Sequence, residues 1–282
     1  MLPVRGDGEV AFYGGTFTLL AKSVQQAYLD AATPFIRGGR VAGVRVSTRP
    51  DALGGEAVAL LAASGVTTVE VGCQSFSAVV LERSGRGHGP DDAEGAVARL
   101  RNKGLTVGLQ LMPGLPGGDR AEAVASLDRA LALKPDFLRI YPTVVVRDTW
   151  LEEAFRSGAY RPLTLEEALE CCAELLWRCR RTNVPVIRMG LQGTPELDGG
   201  EAWVAGPYHP AFGQLVRSRL WRRALERWFV RSGQRRACVN PADLADVVGH
   251  RRHNLKTLQA RFGPLTLEAR QDVPRDRFAS AG

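Results

Sequence analysis

Five β-type runs in this chain carry aliphatic side chains at every second position, with charged, amide, hydroxyl or glycine residues between them. Strand side chains alternate between two faces, so each run has one oily and one polar side. In residues 41–48 Val44 and Val46 oppose Arg45 and Ser47, and Arg49 continues the polar set. In 67–73 and just beyond, Val69, Val71 and Cys73 oppose Glu70, Gly72 and Gln74. In 106–112 Val107, Leu109 and Leu111 oppose Gly108, Gln110 and Met112, and in 137–141 Leu138 and Ile140 oppose Arg139 and Tyr141. In 184–191 the same spacing sets Ile187, Met189 and Leu191 against Arg188, Gly190 and Gln192. A further run, 9–14, precedes these, and helical apolar spacing occupies 21–36, 56–64, 91–103, 120–133 and 165–182.

Strands alternating with helices predict a parallel sheet with crossover helices. The oily faces must meet those helices, and the polar faces then line an interior, because parallel sheets are covered on both sides. An ordinary (β/α)8 barrel fills its interior with branched apolar side chains; here Arg, Glu, Gln, Ser and Tyr stand in those positions. Buried charges without partners are costly, so this lumen either pairs its charges internally or holds a polar ligand. The expected fold class is α/β, a partial (β/α) barrel with a ligand-holding lumen. With 45% hydrophobic residues among 282, the chain has the apolar material for such a core.

Function is expected at the carboxyl ends of the strands. Those ends read Gly14-Gly15-Thr16, Thr48-Arg49-Pro50-Asp51, Gln74-Ser75, Met112 through Gly117, and Tyr141-Pro142-Thr143. Glycine pairs just past a strand let backbone approach a ligand closely, with N–H groups free for carboxylate or phosphate.

Several chemistries are disfavoured. Schiff-base catalysis needs a lumen lysine, yet Lys22, Lys103, Lys134 and Lys256 fall on helices or helix ends. Metal hydrolysis needs clustered histidines and carboxylates, and His88, His209, His250 and His253 have no such spacing. No Gly-x-Gly-x-x-Gly opens the first unit, which disfavours a dinucleotide fold. Cys171, Cys172 and Cys179 share one predicted helix, where residues 172 and 179 lie about 10 Å apart along the axis, and they read as core. Cys73 has aliphatic parity and reads as core too. No apolar run reaches transmembrane length and residues 1–8 lack a signal-peptide core, so the expected compartment is the cytoplasm, with no membrane partner.

The net charge of +7 is localised. Eight arginines between Arg217 and Arg236, against Glu226 alone, account for all of it. A localised basic segment can be the footprint of a polyanion, so Arg217, Arg222 and Arg223 are candidate RNA contacts; the plainer reading is a solvated helix. A composition shift near 195–200 reads as a linker. The expected organisation is a barrel over 1–195, a basic helical connector over 196–236 and a small domain over 237–282.

In order, Phe12-Tyr13-Gly14-Gly15-Thr16-Phe17, Ser47-Thr48-Arg49-Pro50-Asp51, Glu70-Val71-Gly72-Cys73-Gln74-Ser75, Arg86-Gly87-His88, Met112 to Gly117, and Tyr141-Pro142-Thr143 with Arg147-Asp148-Thr149 resemble the radical S-adenosylmethionine (SAM) superfamily, most of all the branch of the Elongator catalytic subunit and related bacterial proteins. The resemblance covers residues 9 to 192. It implies that Gly14, Gly15 and Thr16 hold the methionyl amino end of SAM. It further implies that Ser47, Arg49, Glu70 and Gln74 line its ribose and carboxylate region. Gln110 with Gly114 to Gly117 would take the adenosyl side, and Tyr141 completes the implied cofactor-binding set. It also implies a 4Fe-4S cluster, whose reduction of the sulfonium releases a 5′-deoxyadenosyl radical that abstracts a hydrogen atom, here from RNA or a nucleotide-like substrate.

The family's cluster motif, Cys-x3-Cys-x2-Cys after the first strand, has no counterpart in residues 1–14, and none of the five cysteines replaces it. Two readings remain: an N-terminally truncated enzyme, inactive as this chain alone, or a non-catalytic SAM- or RNA-binding protein on a barrel without its cluster. The edge of the Val10–Tyr13 run, exposed if a first strand is missing, is an aggregation liability; it favours truncation, with an upstream segment or a partner covering that edge. Near the C-terminus, Gly249-His250-Arg251-Arg252 resembles the G-x-x-G backbone clamp of a KH domain with arginine in place of the second glycine, which adds Gly249, Arg251 and Arg252 to the candidate RNA contacts.

Overall fold

The computed structural model describes residues 6–280. The chain opens with β1 (Glu9–Phe12), α1 (Lys22–Arg37), β2 (Gly43–Thr48), α2 (Gly55–Ala63) and β3 (Val66–Gln74). The short α3 (Ala78–Arg83) and α4 (Pro90–Arg101) precede β4 (Thr106–Leu111), α5 (Arg120–Ala132) and β5 (Phe137–Ile140). After β6 (Val145–Val146) and α6 (Trp150–Arg156) come α7 (Leu165–Arg181) and β7 (Val186–Met189). The main sheet has the order β1-β2-β3-β4-β5-β7, every neighbouring pair parallel. This is the partial barrel expected from the alternation of strands and helices.

Local sequence explains where the elements begin and stop. Thr164 and Glu167 make a reciprocal capping box at the start of α7, the Thr164 amide donating to Glu167 Oε2 at 2.8 Å. Pro90 opens α4, where a missing N–H costs nothing, and Asp92 accepts the Gly89 N–H. The expected first strand ran to Gly14; the sheet pairing stops at Phe12, because Gly14 takes φ of 110° and turns the chain away.

The oily faces pack as the parity predicts. Val44, Val46, Val69, Val71, Cys73, Val107, Leu109, Leu111, Leu138 and Ile140 are all buried in one core with helix residues such as Leu29, Leu61, Leu100, Leu127 and Leu175. Cys171, Cys172 and Cys179 belong to that core. The last strand departs from the expected parity: Val186 and Met189 pack on the core, and Ile187 is exposed. A register shift between Leu138 and Arg139, opposite β7, changes which positions face inward.

The region read as a linker is structured. It forms α8 (Pro195–Asp198) and β8 (Trp203–Ala205), and β8 pairs antiparallel with β6. Next comes the 21-residue α9 (Phe212–Ser232). It is not a free connector. Phe212 and Val216 enter the barrel core, while Trp221, Leu225 and Phe229 build a second core with Ala237, Val239, Val247 and Leu258. That second core underlies β9 (Arg236–Val239), α10 (Leu244–Val248), α11 (His253–Phe262), β10 (Thr266–Ala269) and β11 (Phe278–Ser280), with sheet order β10-β9-β11. The small C-terminal unit therefore includes the second half of α9. Its strands form a mixed sheet, β10 parallel and β11 antiparallel to β9.

Candidate functional site

Four charged side chains from four strands meet in the lumen. Arg45 on β2 donates from Nε and Nη2 to Glu9 Oε2 of β1, at 2.8 and 2.6 Å, and from Nη1 to Glu70 Oε1 of β3 at 2.9 Å. Arg139 on β5 places Nε 3.0 Å from Glu70 Oε2. The Tyr13 hydroxyl donates to Glu70 Oε1 and accepts from Arg139 Nη2, and Tyr141 accepts from Arg139 Nη1. Charge alternates along this ladder, Glu9, Arg45, Glu70, Arg139, and sums to zero.

The ladder decides between the two expectations for the lumen: these charges pair internally. Glu70, 2% exposed and engaged by two arginines and a tyrosine, is committed to the ladder and does not line an open cofactor surface. Burial pushes the Glu9 carboxyl up, but hydrogen bonds from Thr68, Thr67 and Arg45 outweigh it and hold the group below its ordinary value. Burial likewise opposes the charge of Arg45, and Glu70 and Glu9 more than restore it. The space that Gly108 leaves is also filled by protein. A Cβ there would meet the Phe137 ring at 2.1 Å, and the Arg45 guanidinium sits over that same ring at 4.9 Å.

Above the ladder, the strand ends form a rim. Ser47 and Arg49 at the end of β2 are half-buried, and Arg49 is held by Asp51, with Nε and Nη2 donating to its two oxygens. Gln74 takes φ of 65°, unusual for a residue with a side chain, and its Oε1 accepts from Gln110 Nε2 at 3.1 Å. Tyr141, just past β5, accepts from Arg139 Nη1. Gly14 and Gly15 are exposed, with no atom within 4 Å of where a Cβ would stand, so backbone is open to a ligand there; half-buried Thr16 follows. Gly114 and Gly117 are different. Both have positive φ, and added Cβ atoms would press on Leu163 and on Arg83 at 2.8 Å, so these glycines serve the fold of their loop. Tyr160 ties the loop down by donating to the Gly114 carbonyl at 2.6 Å.

One rim residue did not emerge as a candidate contact from the strand parity. Arg86 lies in the loop after α3; its Nη2 donates to Met112 Sδ at 3.2 Å, and its buried Nε has no partner. Burial, and then the positive charge of Arg49, pull its pKa below the arginine value. Beside it, His88 Nε2 lies 3.3 Å from the Cys73 carbonyl, and its buried Nδ1 is unpartnered. Arg86-Gly87-His88 belonged to the resemblance, but only folding reveals a cation without an acidic partner among the described residues.

Candidate RNA residues occupy two settings. On α9, Arg217 pairs with Asp246 at 2.6 Å, Arg222 lies 3.8 Å from Glu226, Arg223 pairs with Glu170, and Arg219, 8% exposed, is held by Glu166 and Glu170. This helix face is tethered by ion pairs to α7 and α10. The loop between α10 and α11 is exposed at Arg251 and Arg252, both left-handed at φ of 49° and 61°. Arg252, where the clamp motif has its second glycine, thus adopts a glycine-type backbone. Gly249 itself is packed against Asn254.

A 4Fe-4S cluster needs a set of thiolates. Among the described residues no group of three or more cysteine, histidine or carboxylate side chains could hold a metal, and all five cysteines are buried. Burial pushes the Cys73 and Cys179 thiols up to about 12 and Cys171 up to about 11, which keeps them protonated. These residues do not fit the cluster. No helix among the described residues is long and apolar enough to cross a membrane.

The chain is similar to known proteins in sequence and in fold. Over 128 residues the chain is 36% identical to a tRNA uridine(34) acetyltransferase of Methanocaldococcus jannaschii, covering 44% of this chain and 24% of that protein. Over 137 residues it is 32% identical to Elongator complex protein 3 of Mus musculus, covering 48% and 25%. The chain therefore spans about a quarter of the length of these relatives. The solved structure of an N-terminally deleted Elp3 of Methanocaldococcus infernus superposes with a TM-score of 0.63 over 80% of this chain and 54% of that one, at 24% identity, which speaks to the fold. Residues 2–130 match the Radical SAM superfamily and residues 135–222 the Radical_SAM C-terminal domain, and with the parallel half-barrel and its rim these place the chain in the radical SAM superfamily.

Proposed function

We propose that this chain is the SAM-binding portion of a radical SAM enzyme that acts on RNA. The observation that carries the reading is half-buried Arg86 at the strand ends, whose buried Nε has no hydrogen-bond partner and whose charge has no acidic partner among the described residues, a counter-ion position for a ligand carboxylate. The open backbone at Gly14 and Gly15, with Thr16, suits the amino end of the same ligand. Ser47, Arg49, Gln74, Gln110 and Tyr141 offer donors and acceptors for the ribose and the adenine edge. The loop of Gly114 and Gly117 contributes backbone alone. SAM held there would supply its sulfonium, the group that radical SAM chemistry acts on. The chain's own part is to anchor the carboxylate, seat the sugar and hold the rim rigid from below through the Glu9–Arg45–Glu70–Arg139 ladder.

RNA as the substrate class is supported by the Methanocaldococcus jannaschii relative, whose name specifies a tRNA uridine, and by the exposed Arg251 and Arg252. A second reading is a non-catalytic SAM- or RNA-binding protein; the lack of a cluster ligand set among the described residues favours it. Equilibrium dialysis of the purified chain against labelled SAM tests what the two readings share. Saturable binding of one equivalent, competed by S-adenosylhomocysteine, is expected; absence of binding would overturn the cofactor assignment. The readings part on reductive SAM cleavage by the protein isolated from its native cell, expected only for the enzyme.

A further inference from the structure

We infer that the groove bounded by α7, α9 and β11 docks single-stranded RNA, at a place that shares no residue with the lumen or its rim. The inference rests on the RNA reading above and adds a second contact surface to it.

Two adjoining cavities of about 270 and 260 Å³ form the groove, and both are floored by Leu220 and Ala224 of α9. Arg180, Trp221, Asp276 and Arg277 line the first; Arg120, Glu174, Trp177, Arg223 and Arg227 line the second. Five guanidiniums thus face two carboxylates. Asp276 is paired with Arg180, Glu174 with Arg120 and Arg223 with Glu170, whereas exposed Arg227 and Arg277 have no acidic partner among the described residues. Arg223 and Arg227 stand four residues apart on one helix, a like-charge spacing that destabilises it, and Arg120 joins them. Burial and the charges of Arg120 and Arg227 lower the pKa of Arg223. Such convergence is relieved by a polyanion.

Two indoles narrow the choice of polyanion. Trp177 is 41% exposed, with the Arg181 guanidinium over its ring at 4.9 Å, the combination on which unpaired bases stack. Trp221 is 3% exposed, and its indole N–H has no acceptor among the described residues. Buried polar groups are nearly always satisfied, and a ribose or phosphate oxygen in the adjoining cavity would satisfy this one. The carboxylates of an acidic peptide would neutralise the arginines but offer Trp177 no ring to stack on.

The test is fluorescence anisotropy of a short labelled single-stranded oligoribonucleotide with the full chain, over a range of salt. The wild type, the Arg227→Glu/Arg277→Glu double variant and Trp177→Ala are compared, with thermal melting to confirm folding and SAM binding measured in parallel. The double reversal should weaken binding at least tenfold and lower the salt slope by about two; Trp177→Ala should weaken it about fivefold or more. SAM binding should not move. Wild-type RNA binding that all variants retain would overturn the groove and leave the RNA reading standing. SAM binding with no RNA binding by the wild type would overturn both RNA assignments. Equal competition by poly-glutamate would reassign the groove to an acidic protein and overturn the proposal.

Discussion

Arg45 and Glu70 face each other from neighbouring strands, Nη1 to Oε1 at 2.9 Å, and this pair is the middle link of a charge ladder that crosses the lumen from β1 to β5. Its members depend on one another, because each arginine is largely withdrawn from water and relieved by a carboxylate that is itself enclosed.

Glu70→Ala leaves Arg45 and Arg139 without their shared anion and should destabilise the protein by about 3 kcal/mol, the low end for an uncompensated buried charge since both arginines keep some solvent contact. Urea unfolding measures this, and Glu70→Gln should cost less. A loss under about 0.5 kcal/mol for Glu70→Ala would contradict the ladder as a structural unit.

The depressed pKa of Glu9 predicts a pH dependence of stability. A carboxyl whose folded pKa lies below its ordinary value of 4.5 contributes stability that is fully present above 4.5 and lost as pH falls through the folded pKa. Glu9→Gln should remove that part of the acid-side decline while leaving the neutral-pH melting curve of the same shape. An unchanged acid decline in the variant would assign it to other carboxyls.

Gly15→Val separates binding from folding. A Cβ at this position meets no atom within 4 Å, so stability should shift by less than about 0.5 kcal/mol. It projects into the space the ligand's amino end would take, so SAM binding should be lost. Unaltered affinity would reject the Gly14-Gly15-Thr16 assignment.

Arg86→Met carries opposite signs for stability and affinity. It removes a half-buried cation whose buried Nε is unpartnered among the described residues, so stability should hold or rise by about 1 kcal/mol. SAM affinity should fall roughly ten- to a hundredfold, the worth of a charge-assisted hydrogen bond. Calorimetric titration and thermal melting of the same preparation read both; a falling melting temperature with intact affinity would make Arg86 structural.

Gly108→Ala should cost about 1–3 kcal/mol, because its Cβ would overlap the Phe137 ring. Phe137→Leu should rescue part of that loss in the double variant. Additive effects would show that the two positions do not share the space.

Strand parity was enough to identify the polar lumen, the aliphatic core faces and the rim positions Ser47, Gln74, Gln110 and Tyr141, because side-chain alternation is a local property of extended backbone. Cysteine spacing and parity likewise placed Cys73, Cys171, Cys172 and Cys179 in the core. Tertiary structure alone decided which lumen charges neutralise one another, since strand order and register bring Glu9, Arg45, Glu70 and Arg139 together from positions far apart in sequence. It also turned Ile187 outward through a register shift. It tied Arg217, Arg219 and Arg223 of α9 to acids on α7 and α10, and among the described residues it left Arg86 without an acidic partner. A residue's face follows from the chain's own period; its partner depends on what the fold sets opposite.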